Sequence, residues 1–209
     1  MIEKIRLISQ SAIRIESDKI IYFDPFKLTD EYNEDADYIF ITHSHYDHFS
    51  KDDILKIKKD TTKIIVTSDL YEECKNMGFI DILVVEPNKE YSIDNIIFKT
   101  VPAYNIDKDF HKREYNWVGY IISIDNYNLY MAGDTDNIPE IRNIKCDIAF
   151  VPVGGTYTMD YNEAVELIKE MKPNLAVPIH YKTVVGTVED AYKFKESLDG
   201  FVDVKILME

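Results

Sequence analysis

Three of the chain's five histidines fall within six positions of one another, in the stretch ITHSHYDH from Ile41 to His48. In extended backbone the side chains alternate, so His43 and His45 point the same way. Asp47 and His48 fall just beyond, where the chain can turn back around a common centre. Imidazole nitrogen and carboxylate oxygen are donors that suit Zn²⁺, Mn²⁺ or Fe²⁺, and three imidazoles this close would repel one another if protonated. A histidine-rich surface loop would account for an isolated HxH. For HxHxDH directly after an apolar strand, metal binding is the stronger reading.

The elements that must position these residues follow from hydrophobic patterning. Short runs rich in β-branched and aromatic residues predict strands at 5–9, 12–17, 20–23, 37–42, 63–67, 81–86, 95–101, 117–124, 128–132, 147–153, 175–179 and 202–207. Helices are predicted at 51–58, 69–76, 137–142, 160–171 and 187–198. The fourth is the best marked: Asp160 can cap it, Glu163 completes a capping box, Ala164, Leu167, Ile168 and Met171 share a face, and Pro173 closes it. Strands come first as a hairpin-like series and later alternate with helices, which predicts a mixed α/β architecture with helices on outer faces. A short echo links Asp37-Tyr38-Ile39-Phe40-Ile41, leading to His43, with Asp147-Ile148-Ala149-Phe150-Val151, leading to Gly154-Gly155. It predicts two halves that each end a buried strand in a functional loop, although a match this short also arises by chance.

Composition bounds the function. The chain has 209 residues, 45% of them hydrophobic, enough for one substantial core, and no Gly-, Ser- or Pro-rich linker divides it, so a single domain over 1–209 is expected. No apolar run of about 18 residues suggests a membrane span. The opening MIEKIRLISQ lacks the features of a signal peptide, and a cytoplasmic protein without membrane attachment is expected. Cys74 and Cys146 lack CxxC spacing and read as buried spacers. With 38 acidic and 24 basic residues the net charge is −14, which disfavours a nucleic-acid partner; the KIKK stretch at 56–59 is the nearest basic patch.

The stretch from His43 to His48 resembles the metallo-β-lactamase-fold superfamily. Four further features stand in that family's order: Asp24 after strand IIYF, Gly133-Asp134-Thr135 after NLYMA, Pro152-Val153-Gly154-Gly155-Thr156 after DIAFV, and Ile179-His180-Tyr181 after LAVP. The resemblance covers nearly the whole chain and implies a four-layer αβ/βα sandwich of two mixed sheets with outer helices and a metal cleft at the strand ends. It implies His43 and His45 as ligands of a first ion and Asp47 and His48 of a second. Asp134 matches the carboxylate that bridges both ions and His180 the last ligand of the second, while Asp24 matches a residue that orients a ligand histidine.

One position departs from the family. Its third histidine for the first ion usually follows the strand that here is NIIFKTV, where this chain reads Pro102-Ala103-Tyr104-Asn105. Asn105 offers only a neutral carbonyl. His111, six residues on, is the unused histidine, and it is open as the missing ligand, as a substrate contact, or as neither.

The chemistry expected is hydrolysis by metal-bound hydroxide at a centre of one or two divalent ions, Zn or Mn with Fe also open, with Asp47 and Asp134 as the catalytic carboxylates. Asn105, His111, Gly155, Tyr157 and Tyr181 are candidate substrate contacts. Likeness to the lactonase-like branch, carried by PAY, GDT, GGTYTM and PIHY, implies a small ester, lactone or phosphate-bearing metabolite as the small-molecule partner. Self-association is left open. Two alternatives stand beside this reading: a metal- or ligand-binding regulatory module whose catalysis was lost at Asn105, and a nuclease or phosphodiesterase of the same fold.

Overall fold

Apolar runs joined by two or three residues can only pair antiparallel, whereas runs separated by a helix or a long loop are free to pair parallel. The computed structural model, which describes residues 1–208, follows this rule twice. It divides into two compact units, Met1–Glu86 and Pro87–Glu209.

The first unit holds β1 (Ile5–Ser9), β2 (Ala12–Glu16), β3 (Ile20–Phe23), β4 (Tyr38–Phe40), α1 (Lys51–Ile57), β5 (Lys63–Thr67), α2 (Tyr71–Asn76) and β6 (Asp81–Val85). Its six-stranded sheet runs in sequence order, antiparallel from β1 to β3 and parallel from β3 to β6. Ile39, Ile41, Ile64 and Val66 from the parallel strands pack with Ile54 and Ile57 of α1 and with Leu70, Cys74 and Phe79 around α2. Parallel strands covered in this way carry near-continuous apolar runs.

The second unit holds β7 (Glu90–Ile93), β8 (Ile96–Pro102), β9 (Val118–Ile124), β10 (Tyr127–Met131), β11 (Ile148–Pro152), α3 (Tyr161–Met171), β12 (Leu175–Ile179), α4 (Val188–Ser197) and β13 (Asp203–Val204). The order is β13-β12-β11-β10-β9-β8-β7, antiparallel from β7 to β10 and parallel from β10 to β13. Asp125 and Asn126 both take positive φ, as the two-residue hairpin between β9 and β10 requires. The capping box at Asp160 and Glu163 is formed, and Ala164, Val165, Leu167, Ile168 and Met171 are buried.

Two expectations need correction, and one strand was not expected. The helix expected at 137–142 is only a 3₁₀ turn, Pro139–Ile141, because the segment is too short to propagate. The strand expected at 202–207 pairs only at Asp203–Val204, on the edge of the sheet. β7 was not anticipated: Glu90-Tyr91-Ser92-Ile93 is a half-exposed edge strand with little apolar signal.

The echo between Asp37 and Asp147 is structural. Asp37 N donates to Ile20 O at 2.9 Å, Ile20 N donates to Asp37 Oδ2 at 2.9 Å, and Lys63 N donates to Asp37 O at 3.0 Å. Asp147 repeats all three bonds with Asn128 O at 2.7 Å, Asn128 N at 2.8 Å and Leu175 N at 3.0 Å. Each aspartate therefore ties the start of a central parallel strand to both of its neighbours.

Candidate metal centre

In the first unit the donors occupy one loop after β4. His48 N and Phe49 N both donate to His45 O, at 3.0 and 2.8 Å, so the chain turns as the motif predicted. His43 Nε2 lies 3.1 Å from His45 Nδ1, and His48 Nε2 lies 3.7 Å from Asp47 Oδ2. His43, Asp47 and His48 are buried and His45 is half-buried.

Asp24 organises this loop. It follows β3 with φ of 44°, a left-handed backbone that aspartate tolerates better than most residues. Its carboxylate accepts from Thr42 N at 2.8 Å, Thr42 Oγ1 at 2.7 Å and His48 Nδ1 at 2.8 Å. Because the Thr42 hydroxyl proton goes to Asp24, its oxygen accepts from His43 Nδ1 at 2.9 Å. Both histidines are thereby held as Nδ1–H tautomers, leaving the Nε2 lone pairs as donors to a metal. Thr42 and Gln10 were not anticipated. Gln10 Nε2 donates to Asp47 Oδ2 at 3.3 Å from the β1–β2 turn, which carries no motif. Thr42, beside His43, could have been suspected as the last polar residue before the motif.

In the second unit the donors come from three separate loops. Asp134 follows β10, His180 follows β12, and His111 lies in the segment after β8. Asp134 Oδ2 lies 3.2 Å from His111 Nε2 and 3.1 Å from His180 Nε2. All three are buried. His180, like Asp24, leaves its strand in the left-handed region, with φ of 56°. Gly154 and Gly186 allow this: a Cβ on Gly154 would lie 2.2 Å from His180 O, and one on Gly186 would lie 2.6 Å from Gly154 Cα.

His111 and Asn105 act together. The Asn105 Nδ2 group donates to Asp136 Oδ1 at 3.0 Å and to Tyr157 O at 2.9 Å, both pure acceptors, which fixes the amide's orientation. Its Oδ1 then accepts from His111 N and His111 Nδ1, each at 3.0 Å, and Asn105 N donates to His111 O at 2.7 Å. His111 is thus also an Nδ1–H tautomer with Nε2 directed at Asp134, and its ring packs edge-on against Trp117, with centroids 5.6 Å apart. Every polar atom of the Asn105 side chain is committed to holding this histidine.

Tyr181 also departs from expectation. Its side chain is fully buried in the core of the second unit and its hydroxyl donates to Met208 O at 2.6 Å. Gly155 spends its N–H on Met159 O at 3.0 Å, while Tyr157 remains half-buried with its ring edge-on to Phe110.

The donors fit a divalent ion. Ligand atoms on a tetrahedral ion with bonds of about 2.0–2.2 Å lie roughly 3.3 Å apart, close to the 3.1 Å between His43 Nε2 and His45 Nδ1 and the 3.1 and 3.2 Å around Asp134 Oδ2. A lone pair on His111 Nε2 facing a carboxylate oxygen is repulsive unless a proton or a metal ion lies between them.

The comparisons agree with this chemistry. Residues 4–180 match the family model described as a beta-lactamase superfamily domain. A UPF0173 metal-dependent hydrolase of Thermococcus kodakarensis is 30% identical over 216 residues, covering 98% of this chain and 96% of the relative. The crystal structure of a candidate metal-dependent hydrolase from Parabacteroides distasonis superposes with a TM-score of 0.84 at 30% identity, covering 98% of this chain and 93% of that one. A metallo hydrolase from Ignicoccus hospitalis gives 0.79 at 26% identity, covering 98% and 94%. Among the described residues no helix is long and apolar enough to cross a membrane. With two mixed sheets, four α-helices and clusters of His and Asp able to hold metal among the described residues, the chain belongs to the metallo-β-lactamase superfamily and is a metal-dependent hydrolase.

Proposed function

We propose that this hydrolase acts on a small ester, lactone or phosphate-bearing metabolite, and that its donors hold one or two divalent ions, Zn²⁺ or Mn²⁺, with Fe²⁺ open to the same donors. The chain then works as one functional domain over 1–209. His43, His45, Asp47 and His48 of the first unit and His111, Asp134 and His180 of the second are the candidate ligands. The observation that carries the reading is the approach of two imidazole Nε2 atoms, from His111 and His180, to a single oxygen of Asp134.

A divalent ion there supplies Lewis acidity and lowers the pKa of water toward about 7. The chain's own residues do the rest. Asp47, steadied by Gln10, orients the attacking water and accepts its proton. Asp134 keeps His111 and His180 at the spacing of shared ligands, and Asn105 and Asp24 hold imidazoles in the tautomer that presents Nε2. Tyr157 and Gly155 border the segment that faces the substrate. The binding-module alternative drew its support from a missing ligand at Asn105, and His111 in that role removes the motive for it.

The test is turnover of a panel of esters, lactones and phosphodiesters after loading purified protein with Zn²⁺ or Mn²⁺. The expected result is metal-dependent hydrolysis of one class, lost in Asp47→Ala. Absence of bound metal after reconstitution, or turnover unchanged by that substitution, would overturn the proposal.

A further inference from the structure

The segment that carries His111 has no regular structure between β8, which ends at Pro102, and the 3₁₀ turn Arg113–Tyr115. Something other than a sheet ladder must hold its imidazole to the sub-ångström tolerance that a metal ligand needs. Asn105 does so locally, yet an amide pulled by two donors at Oδ1 must itself be anchored at Nδ2. The main anchor is Asp136, a buried carboxylate two residues beyond Asp134. Asp136 Oδ1 accepts from Asn105 Nδ2 at 3.0 Å and Oδ2 accepts from Ile106 N at 2.8 Å, while Asp136 N donates to Tyr104 O at 3.0 Å. The same Oδ1 also takes the Lys108 ammonium. One carboxylate therefore ties the loop of Asp134 to the loop of His111, and Lys108 competes with Asn105 for its oxygen.

Resting on the metal-centre reading above, we infer that Asp136 is a positioning residue that acts through the Asn105 amide on His111, and that Lys108 tempers it. The negative charge draws on the Asn105 N–H, which makes Oδ1 a stronger acceptor for His111 Nδ1–H and Nε2 a stronger donor to metal. Asp136 touches neither metal nor substrate. Its effect is selective for the ion that His111 holds.

The electrostatic chain differs from a plain structural clasp in the sign of two substitutions. A clasp loosens in both Asp136→Asn and Lys108→Met. In the chain proposed here Asp136→Asn weakens the pull on Asn105, whereas Lys108→Met leaves Asp136 Oδ1 to Asn105 alone and strengthens it.

The experiment titrates metal-free full-length protein with Co²⁺ against a chelator, reading the visible ligand-field bands and the quenching of Trp117, the chain's single tryptophan. Asp136→Asn should weaken the equivalent that quenches Trp117 by up to about 10-fold, the lower end of the range for residues that orient metal ligands, with the other equivalent unchanged. Lys108→Met should tighten the same equivalent. Equal weakening of all bound Co²⁺ in Asp136→Asn, no change in it, or weakening in Lys108→Met would each overturn the inference. If Asp136→Asn does not fold, the sign in Lys108→Met decides alone. Failure of the unaltered protein to bind Co²⁺ would instead sink the metal-centre reading, so the two failures are distinguishable.

Discussion

The two units solve the same problem with different wiring. In each, antiparallel steps, two in the first unit and three in the second, lead into parallel strands, an aspartate laces the central strand to its neighbours, and a residue in the left-handed region leaves a strand beside the donors, Asp24 in one and His180 in the other. In the first unit all four donors lie within His43 to His48 and one carboxylate, Asp24, sets two imidazoles at once, one directly and one through Thr42. In the second, the donors are 23 to 69 positions apart, as the numbers 111, 134 and 180 give by subtraction, and each has its own support: Asn105 for His111, the glycine contact at Gly154 for His180. The difference teaches that a contiguous motif can share one holder, while a dispersed one must be held loop by loop.

Substitutions can break or sharpen that contrast. The largest effect is expected from Asp134→Ala, which removes the carboxylate shared by His111 and His180; kcat/KM should fall on the order of 1,000-fold, about 4 kcal/mol of transition-state stabilisation. Next, Asp24→Ala should cost about 100-fold in metal affinity and Asn105→Ala nearer about 10-fold, the span seen for residues that orient ligands. Equal losses in a chelator competition would contradict the shared-holder account of the first unit.

Gly154→Ala forces a methyl against His180 O and should destabilise the fold by about 1–3 kcal/mol in urea denaturation; unchanged stability would show that the His180 loop yields. Asp37→Ala and Asp147→Ala should each cost about 0.5–1.5 kcal/mol, the net worth of the strand-edge hydrogen bond each removes, and like values would confirm that the two corners are equivalent.

The smallest effect separates those corners. Asp37 Oδ1 takes the Lys59 ammonium at 2.8 Å, whereas Asp147 Oδ1 takes the neutral Asn174 amide at 3.0 Å. Burial pushes the Asp37 carboxyl up, but the Lys59 and Ile20 hydrogen bonds and the Lys59 charge outweigh it and hold it below its ordinary 3.8. A lowered folded value means stability that is present above 3.8 and lost as pH falls through the folded value. Lys59→Met should therefore raise the Asp37 titration midpoint, read by carboxyl NMR; an unmoved midpoint would remove Lys59 from the account.

Much of the fold was legible because most strands here are short apolar runs and the α3 helix carries its own cap at Asp160. What escaped was either marginal, like the edge strand β7, or dependent on long-range pairing, like the truncated β13. The sequence by itself singled out His43, His45, Asp47 and His48 as candidate donors, since residues so close along the chain stay near one another whatever the rest of it does. It also determined the family, through motifs standing in order after their strands. Only the tertiary structure decided that His111 rather than Asn105 faces Asp134, that Asn105, Thr42 and Gln10 hold donors, and that Tyr181 belongs to the core. The reason is physical: a hydrogen bond between residues tens of positions apart depends on how loops are carried together by packed strands, and no local spacing encodes that distance.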